Sequence, residues 1–137
     1  MTSGEIDTLV AALRTNSCTV SGPLSTDDAR GAIVDRAARH TLVACNADVP
    51  IPGILDALRE RGLELLSPAD PAWSTRLADA GVGITGAFAA VVEPAAIAVV
   101  AAPGSPRGTS LVPGEHICVL RVTDIRPTLA DAMRAIA

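Results

Sequence analysis

The sequence contains no lysine, and all eleven of its basic residues are arginine. A Schiff-base enzyme, a pyridoxal phosphate anchor or a P-loop needs an amine that can lose its proton or reach a phosphate as a point charge. Those chemistries are excluded. Tyrosine is absent as well, and Trp73 and Phe88 are the sole Trp and Phe, so there is almost no surface on which bases could stack. The net charge of −4 argues against the basic stripe that a nucleic acid or an anionic membrane would require. Cysteine is sparse: Cys18, Cys45 and Cys118 are far apart and form no C-x-x-C pair. That spacing does not suit a disulfide scaffold, a zinc knuckle or an iron–sulfur ligand set. Buried free thiols in a reducing compartment are expected.

Long apolar runs are missing too. The longest, Ala87 to Pro103, is interrupted by Glu93 and Pro94 and is too short to cross a bilayer as a helix. Residues Met1 to Asp7 are acidic and lack an apolar stretch, so no signal peptide is expected and the cytoplasm is the default location. What the chain does have is 137 residues, 49% of them hydrophobic and mostly small aliphatics. A chain of this size fits a single domain, residues 1–137, that buries roughly 68–70% of its unfolded surface without disulfide or metal staples. The lysine-free, alanine- and arginine-rich composition points to a GC-rich bacterial genome.

Apolar residues at Ile6, Leu9, Val10 and Leu13 recur at helical spacing and predict a helix over about 3–15. A short strand is expected at Cys18–Val20. Ser25 with Asp28 three residues later reads as the N-cap of a helix to about Arg39. Thr41 to Cys45 has the pattern of a strand buried on both faces. Pro50 and Pro52 open a further helix that Gly62 closes, and Leu63 to Leu66 forms the next strand. Asp70-Pro71 starts a helix to about Ala80. This strand–helix repetition implies parallel strands joined by right-handed crossovers. Strand-like segments then crowd together at 82–85, 87–92, 96–102 and 116–122, with a loop from Pro103 to Gly114, and Pro127 is expected to open a last helix. The fold class is α/β, a layered, mostly parallel sheet with helices on both faces and some antiparallel pairing at one end.

Several segments could carry chemistry. Gly81 to Gly86 matches G-x-G-x-x-G, but a helix precedes the glycines and no acid stands about twenty residues on. That context favours a strand with close backbone approaches over a dinucleotide site. Gly104-Ser105-Pro106-Arg107-Gly108-Thr109-Ser110 offers flexible backbone, hydroxyls and a guanidinium fork, the parts of an anion-binding loop. The same composition also suits an ordinary solvated loop. Glu93 stands between two apolar runs; buried, it would titrate high and serve as a base or nucleophile, and at a strand end it would face water. His116 and Cys118 share one strand face. Two ligands do not make a metal site, and a Cys–His dyad would need a third, orienting group. No cofactor or metal is expected.

The stretches GITGA (Gly83–Ala87), PRGTSLVPGEHICVL (Pro106–Leu120) and RPTLADAM (Arg126–Met133), with the apolar run to Glu93 between them, resemble the C-terminal part of the LUD domain of the lactate-utilisation protein C (LutC/YkgG) type. The resemblance is specific over 83–137 and architectural over 25–80. It implies a fold like that of the sugar-phosphate isomerase and CoA-transferase superfamily, and a part in oxidising L-lactate to pyruvate beside partners that hold iron–sulfur clusters. Where the family typically reads Asp this chain has Phe88, and Pro94-Ala95-Ala96 replaces Thr-Gly-Thr after Glu93. Arg107, Ser110, Pro113 and His116 are kept. The resemblance therefore points to an accessory subunit that binds a small anion at Gly104, Arg107, Thr109, Ser110 and His116. An acyl- or CoA-transferring enzyme with Glu93 as its catalytic residue, and a vestigial assembly domain, are the alternatives. A homo-oligomer is compatible with either.

Overall fold

The computed structural model describes residues 2–136. Two helices open the chain, α1 (Ser3–Thr15) and α2 (Thr26–Ala37), followed by β1 (Leu42–Cys45), α3 (Ile54–Glu60) and β2 (Glu64–Leu66). A short α4 (Trp73–Arg76) runs into a 3-10 turn, and β3 (Val82–Gly86), β4 (Ala89–Glu93) and β5 (Ala96–Ala98) come next. The chain ends with α5 (Gly108–Leu111), β6 (Glu115–Val119), β7 (Ile125–Thr128) and α6 (Leu129–Ile136). Contacts divide these elements into two compact units, each assembled from separate stretches of sequence.

One unit comprises Leu24–Gly86 and Val100–Val119. Its four-stranded sheet is wholly parallel, in the order β2-β1-β3-β6. Alternation along the strands separates two cores. Val43, Cys45, Val82 and Ile84 face Ile33, Val34 and Ala37 of α2 and Ile54 and Leu58 of α3. Leu42, Ala44 and Leu66 face Leu77, Ala80 and the partly buried Trp73. All four β1 side chains are buried, the signature of a central parallel strand covered on both faces. Helices therefore flank this sheet on both sides, and the α/β layering read from the sequence holds. Ser25 caps α2 by accepting the Asp28 N–H at 3.1 Å, and Gly62 leaves α3 at φ +88°, a conformation that costs a Cβ-bearing residue more.

The other unit holds residues up to Pro23, Ala87–Val99 and residues from Leu120 onward. Here β4 lies between β5, antiparallel, and β7, parallel. Leu9 of α1 packs with Ala90 and Ile125 on one face, and Ala132 of α6 packs with Ala89 and Val91 on the other. The antiparallel pairing expected at one end of a single sheet thus belongs to a separate three-stranded sheet.

Several local expectations change. Residues 18–20 form no strand: the Cys18 N–H closes α1 onto the Leu13 carbonyl at 3.0 Å, with Ser17 left-handed at φ 69°, the geometry of a Schellman close. Cys18 is accordingly exposed, whereas Cys45 is buried. Pro127 lies within β7 and does not open α6. β7 is an edge strand, where a missing N–H is tolerated, and Thr128 caps α6 by accepting the Asp131 N–H at 3.3 Å. Asp70 makes a turn by accepting the Ala72 N–H at 2.8 Å, and the helix starts later, at Trp73. The 103–114 loop contains the short helix α5.

Candidate functional site

In an open parallel sheet the chain reverses its direction of winding at one point, and ligands favour the crevice beyond the strand carboxyl ends there. In this sheet that point lies between β1 and β3. Beyond β1 come Asn46, Ala47 and Asp48. The Asn46 backbone N–H donates to the Ile84 carbonyl at 2.9 Å, which carries the β1–β3 pairing one residue past the strand. The Asn46 side chain is buried, and both of its ends are used. Its Oδ1 accepts from the Thr109 hydroxyl at 2.5 Å, and its Nδ2 donates to the Pro106 carbonyl at 3.3 Å. The Ala47 N–H donates to the Gly104 carbonyl at 3.0 Å. The 104–109 segment is therefore fastened to the end of β1 at three points.

The glycines of β3 permit this fit. A Cβ on Gly83 would run into the Thr109 carbonyl oxygen, and one on Gly86 into the Asp48 carbonyl oxygen. Gly81 lies flush against the His40 ring. The Gly86 N–H also donates to Asp48 Oδ1 at 3.0 Å. The G-x-G-x-x-G spacing thus records three close approaches, one just before β3 and two along it, in keeping with the reading preferred from sequence context.

The residues expected to bind an anion fall into two groups within this unit. Thr109 is fully buried with its hydroxyl proton committed to Asn46, the Ser110 hydroxyl donates back to the Arg107 carbonyl at 3.0 Å, and the Gly104 carbonyl holds Ala47. These three shape the loop. Arg107 is exposed, and its guanidinium makes no hydrogen bond or ion pair among the described residues. The His116 Nε2 lies 2.7 Å from the Thr85 hydroxyl, with the ring partly exposed on the edge strand β6. Burial lowers the His116 pKa from its ordinary value, so the imidazole is neutral at pH 7. Which of the two partners donates is set by the tautomer of the ring.

Thr85 also bonds the Cys118 thiol, and burial, the larger influence, pushes that thiol's pKa up. Burial and the Asp48 charge push the Cys45 thiol up to about 12. Both groups stay protonated at neutral pH and are poor nucleophiles. Glu93 belongs to the other unit. It is exposed at the end of β4, paired in register with Thr128, so its apolar neighbours in sequence do not enclose it. No group of three or more His, Cys, Asp or Glu side chains among the described residues is placed to hold a metal ion. No helix among them is long and apolar enough to cross a membrane.

Asn46, which fixes the loop, is the candidate-site residue that sequence reasoning passes over. Its signal was a short amide directly after a strand buried on both faces.

The fold and this crevice define an α/β protein with its polar residues gathered beyond the carboxyl ends of a parallel sheet. The profile of the LUD domain matches residues 6–137, and the chain belongs to the LUD domain family. Membership supports a lactate-utilisation-related role in general terms. The chain is also similar to a solved structure, the crystal structure of a DUF162 family protein from Deinococcus radiodurans, with a TM-score of 0.81. The two are 21% identical over 98% of this chain and 79% of that one, a likeness that shows the fold. No curated protein matches the chain.

Proposed function

We propose that residues 1–137 act as one LUD-type domain, a cytoplasmic, bacterial accessory protein that binds a small anion and serves the oxidation of L-lactate to pyruvate. Its partners in this reading are iron–sulfur proteins of lactate utilisation, since the chain offers no cluster ligand set of its own. The observation that carries the reading is Arg107: an exposed guanidinium without a partner among the described residues, on a loop fastened to the end of β1 by Asn46 and Ala47. A guanidinium held this way is available for a carboxylate in two parallel hydrogen bonds. His116, whose ring contacts the Thr85 hydroxyl in the same unit, is the second group offered to the ligand in this reading. Gly104, Thr109 and Ser110 hold the loop in shape.

Isothermal titration of the full chain with L-lactate, pyruvate and inorganic phosphate tests this. Hydrogen bonds to a charged group contribute about 1.5–3 kcal/mol, so Arg107→Ala should weaken binding by roughly 10- to 150-fold. An unchanged affinity would remove the anion site. The enzyme reading has no comparable support: Glu93 is exposed at the end of β4 and belongs to the unit that does not hold Arg107.

A further inference from the structure

Beside the anion loop, the same unit carries a cleft of about 340 Å³ that the reading above leaves unused. It forms where the chain leaves β1 and turns into α3. Gly53, at φ +75°, lets the backbone enter the helix. Ile54 and Leu58 then point into the core, and Leu55 stays 42% exposed at the cleft. Val49 and Ile51 give the cleft its apolar lining, with Asn46 and Ala47 forming the wall nearest β1.

That wall is shared with the anion loop. Ala47 bonds the Gly104 carbonyl, and a Cβ on Gly104 would stand 3.3 Å from the Ala47 Cβ, so no layer separates loop from wall. Asn46 holds the carbonyl of Pro106, the residue directly before Arg107. At the cleft's polar edge, Arg59 approaches Asp56 at only 3.5 Å, and the two side chains are 60% and 81% exposed. Most of the Arg59 donors therefore face solvent. Asn46 and Ala47 thus border the apolar lining and also hold the loop that carries the free Arg107 guanidinium, an arrangement that suits a ligand with two ends of different character. The volume lies in the range of small-molecule sites.

We infer that the β1–α3 cleft is the apolar arm of an extended site, and that its ligand is a small carboxylate carrying a short aliphatic chain. The inference rests on the reading of Arg107 as an anion anchor. Burying one methylene contributes about 0.8 kcal/mol, or about fourfold in affinity. Titrating the full chain with straight-chain 2-hydroxy acids, from lactate to 2-hydroxyoctanoate, should show affinity climbing by up to that factor per carbon and levelling once the cleft is full. Amide resonances of Ile51 and Leu55 should shift with the longer acids. Leu55→Glu, and the milder Leu55→Ser, should flatten the series. Arg107→Ala should lower every member by a similar factor and keep its slope. A flat series with lactate and phosphate still bound would overturn the apolar arm and leave the anion site standing. If neither phosphate nor any of the acids binds, the arm and the anion site fall together.

Discussion

The two ends of the four-stranded parallel sheet handle polar groups in opposite ways. At the amino-terminal edge, Glu115 opens β6 and is claimed twice, by Arg36 at 2.5 Å and by His40 at 3.1 Å. His40 also lies flush against Gly81. Charge there is matched to charge. At the carboxyl-terminal edge the buried groups, Asn46 and Thr109, satisfy each other, and the exposed cation, Arg107, is left over. Pairing closes one edge; at the other, pairing positions a loop and leaves its charge free. In open α/β sheets the second edge is the one that receives ligands.

This contrast can be broken at its steric root. Gly83→Ala pushes a methyl into the Thr109 carbonyl, a backbone atom that cannot swing aside. Overpacking of this kind should cost about 3 kcal/mol, a fall of roughly 10 °C in melting temperature for a domain of this size. A wild-type melting curve would show that α5 does not lie on β3. Next in size is Asn46→Ala, which strands the Thr109 hydroxyl and the Pro106 carbonyl. Leaving buried groups unpaired should cost about 2 kcal/mol and weaken lactate binding as the loop loosens. Unchanged calorimetric affinity would separate loop from site.

A smaller effect tests the closed edge. Arg36 first, and then His40, hold the Glu115 carboxyl below the usual carboxylate range. Its contribution to stability is therefore present in full above the unfolded glutamate value of about 4.3, and is lost as pH falls through the depressed folded value. Glu115→Gln should cost at most about 1 kcal/mol at pH 7. In urea titrations that difference should shrink toward zero at pH values well below 4, and lactate affinity should not move. A difference that persists in strong acid would mean the ion pairs are not its source. Smallest of all is Glu93→Gln, expected within about 0.5 kcal/mol of wild type by thermal melting, with lactate oxidation by the reconstituted system intact. A collapse of that rate would return Glu93 to the chemistry.

Much of the layering was readable because it rests on local rules. The Ser25 cap, the Gly62 close and the fully buried β1 each depend on a few neighbouring residues, and each stands in the structure. Where tertiary partners decide, reading failed. Nothing near Pro127 in sequence reveals that β4 lies beside it and that the free edge tolerates a missing donor. Val20 looks β-prone, yet the helix before it consumes the Cys18 N–H, and Arg14 donates to the Val20 carbonyl at 2.9 Å. Arg107 and His116 stood out in the sequence because their side chains are distinctive. Asn46 did not, because its partners at Pro106 and Thr109 lie some sixty positions away.

The three glycines of residues 81–86 have a consequence for how such a chain can vary. Gly81, just before the strand, and Gly83 and Gly86 within it each sit flush against a different neighbour: His40 beyond α2, a loop helix and the turn after β1. A side chain at any of them would have to evict material from a distant part of the sequence, so no single compensating change nearby could restore the fit. Random libraries built on this scaffold would tolerate diversity at exposed Leu111, Val112 and Leu55 while losing nearly every member altered along this one strand.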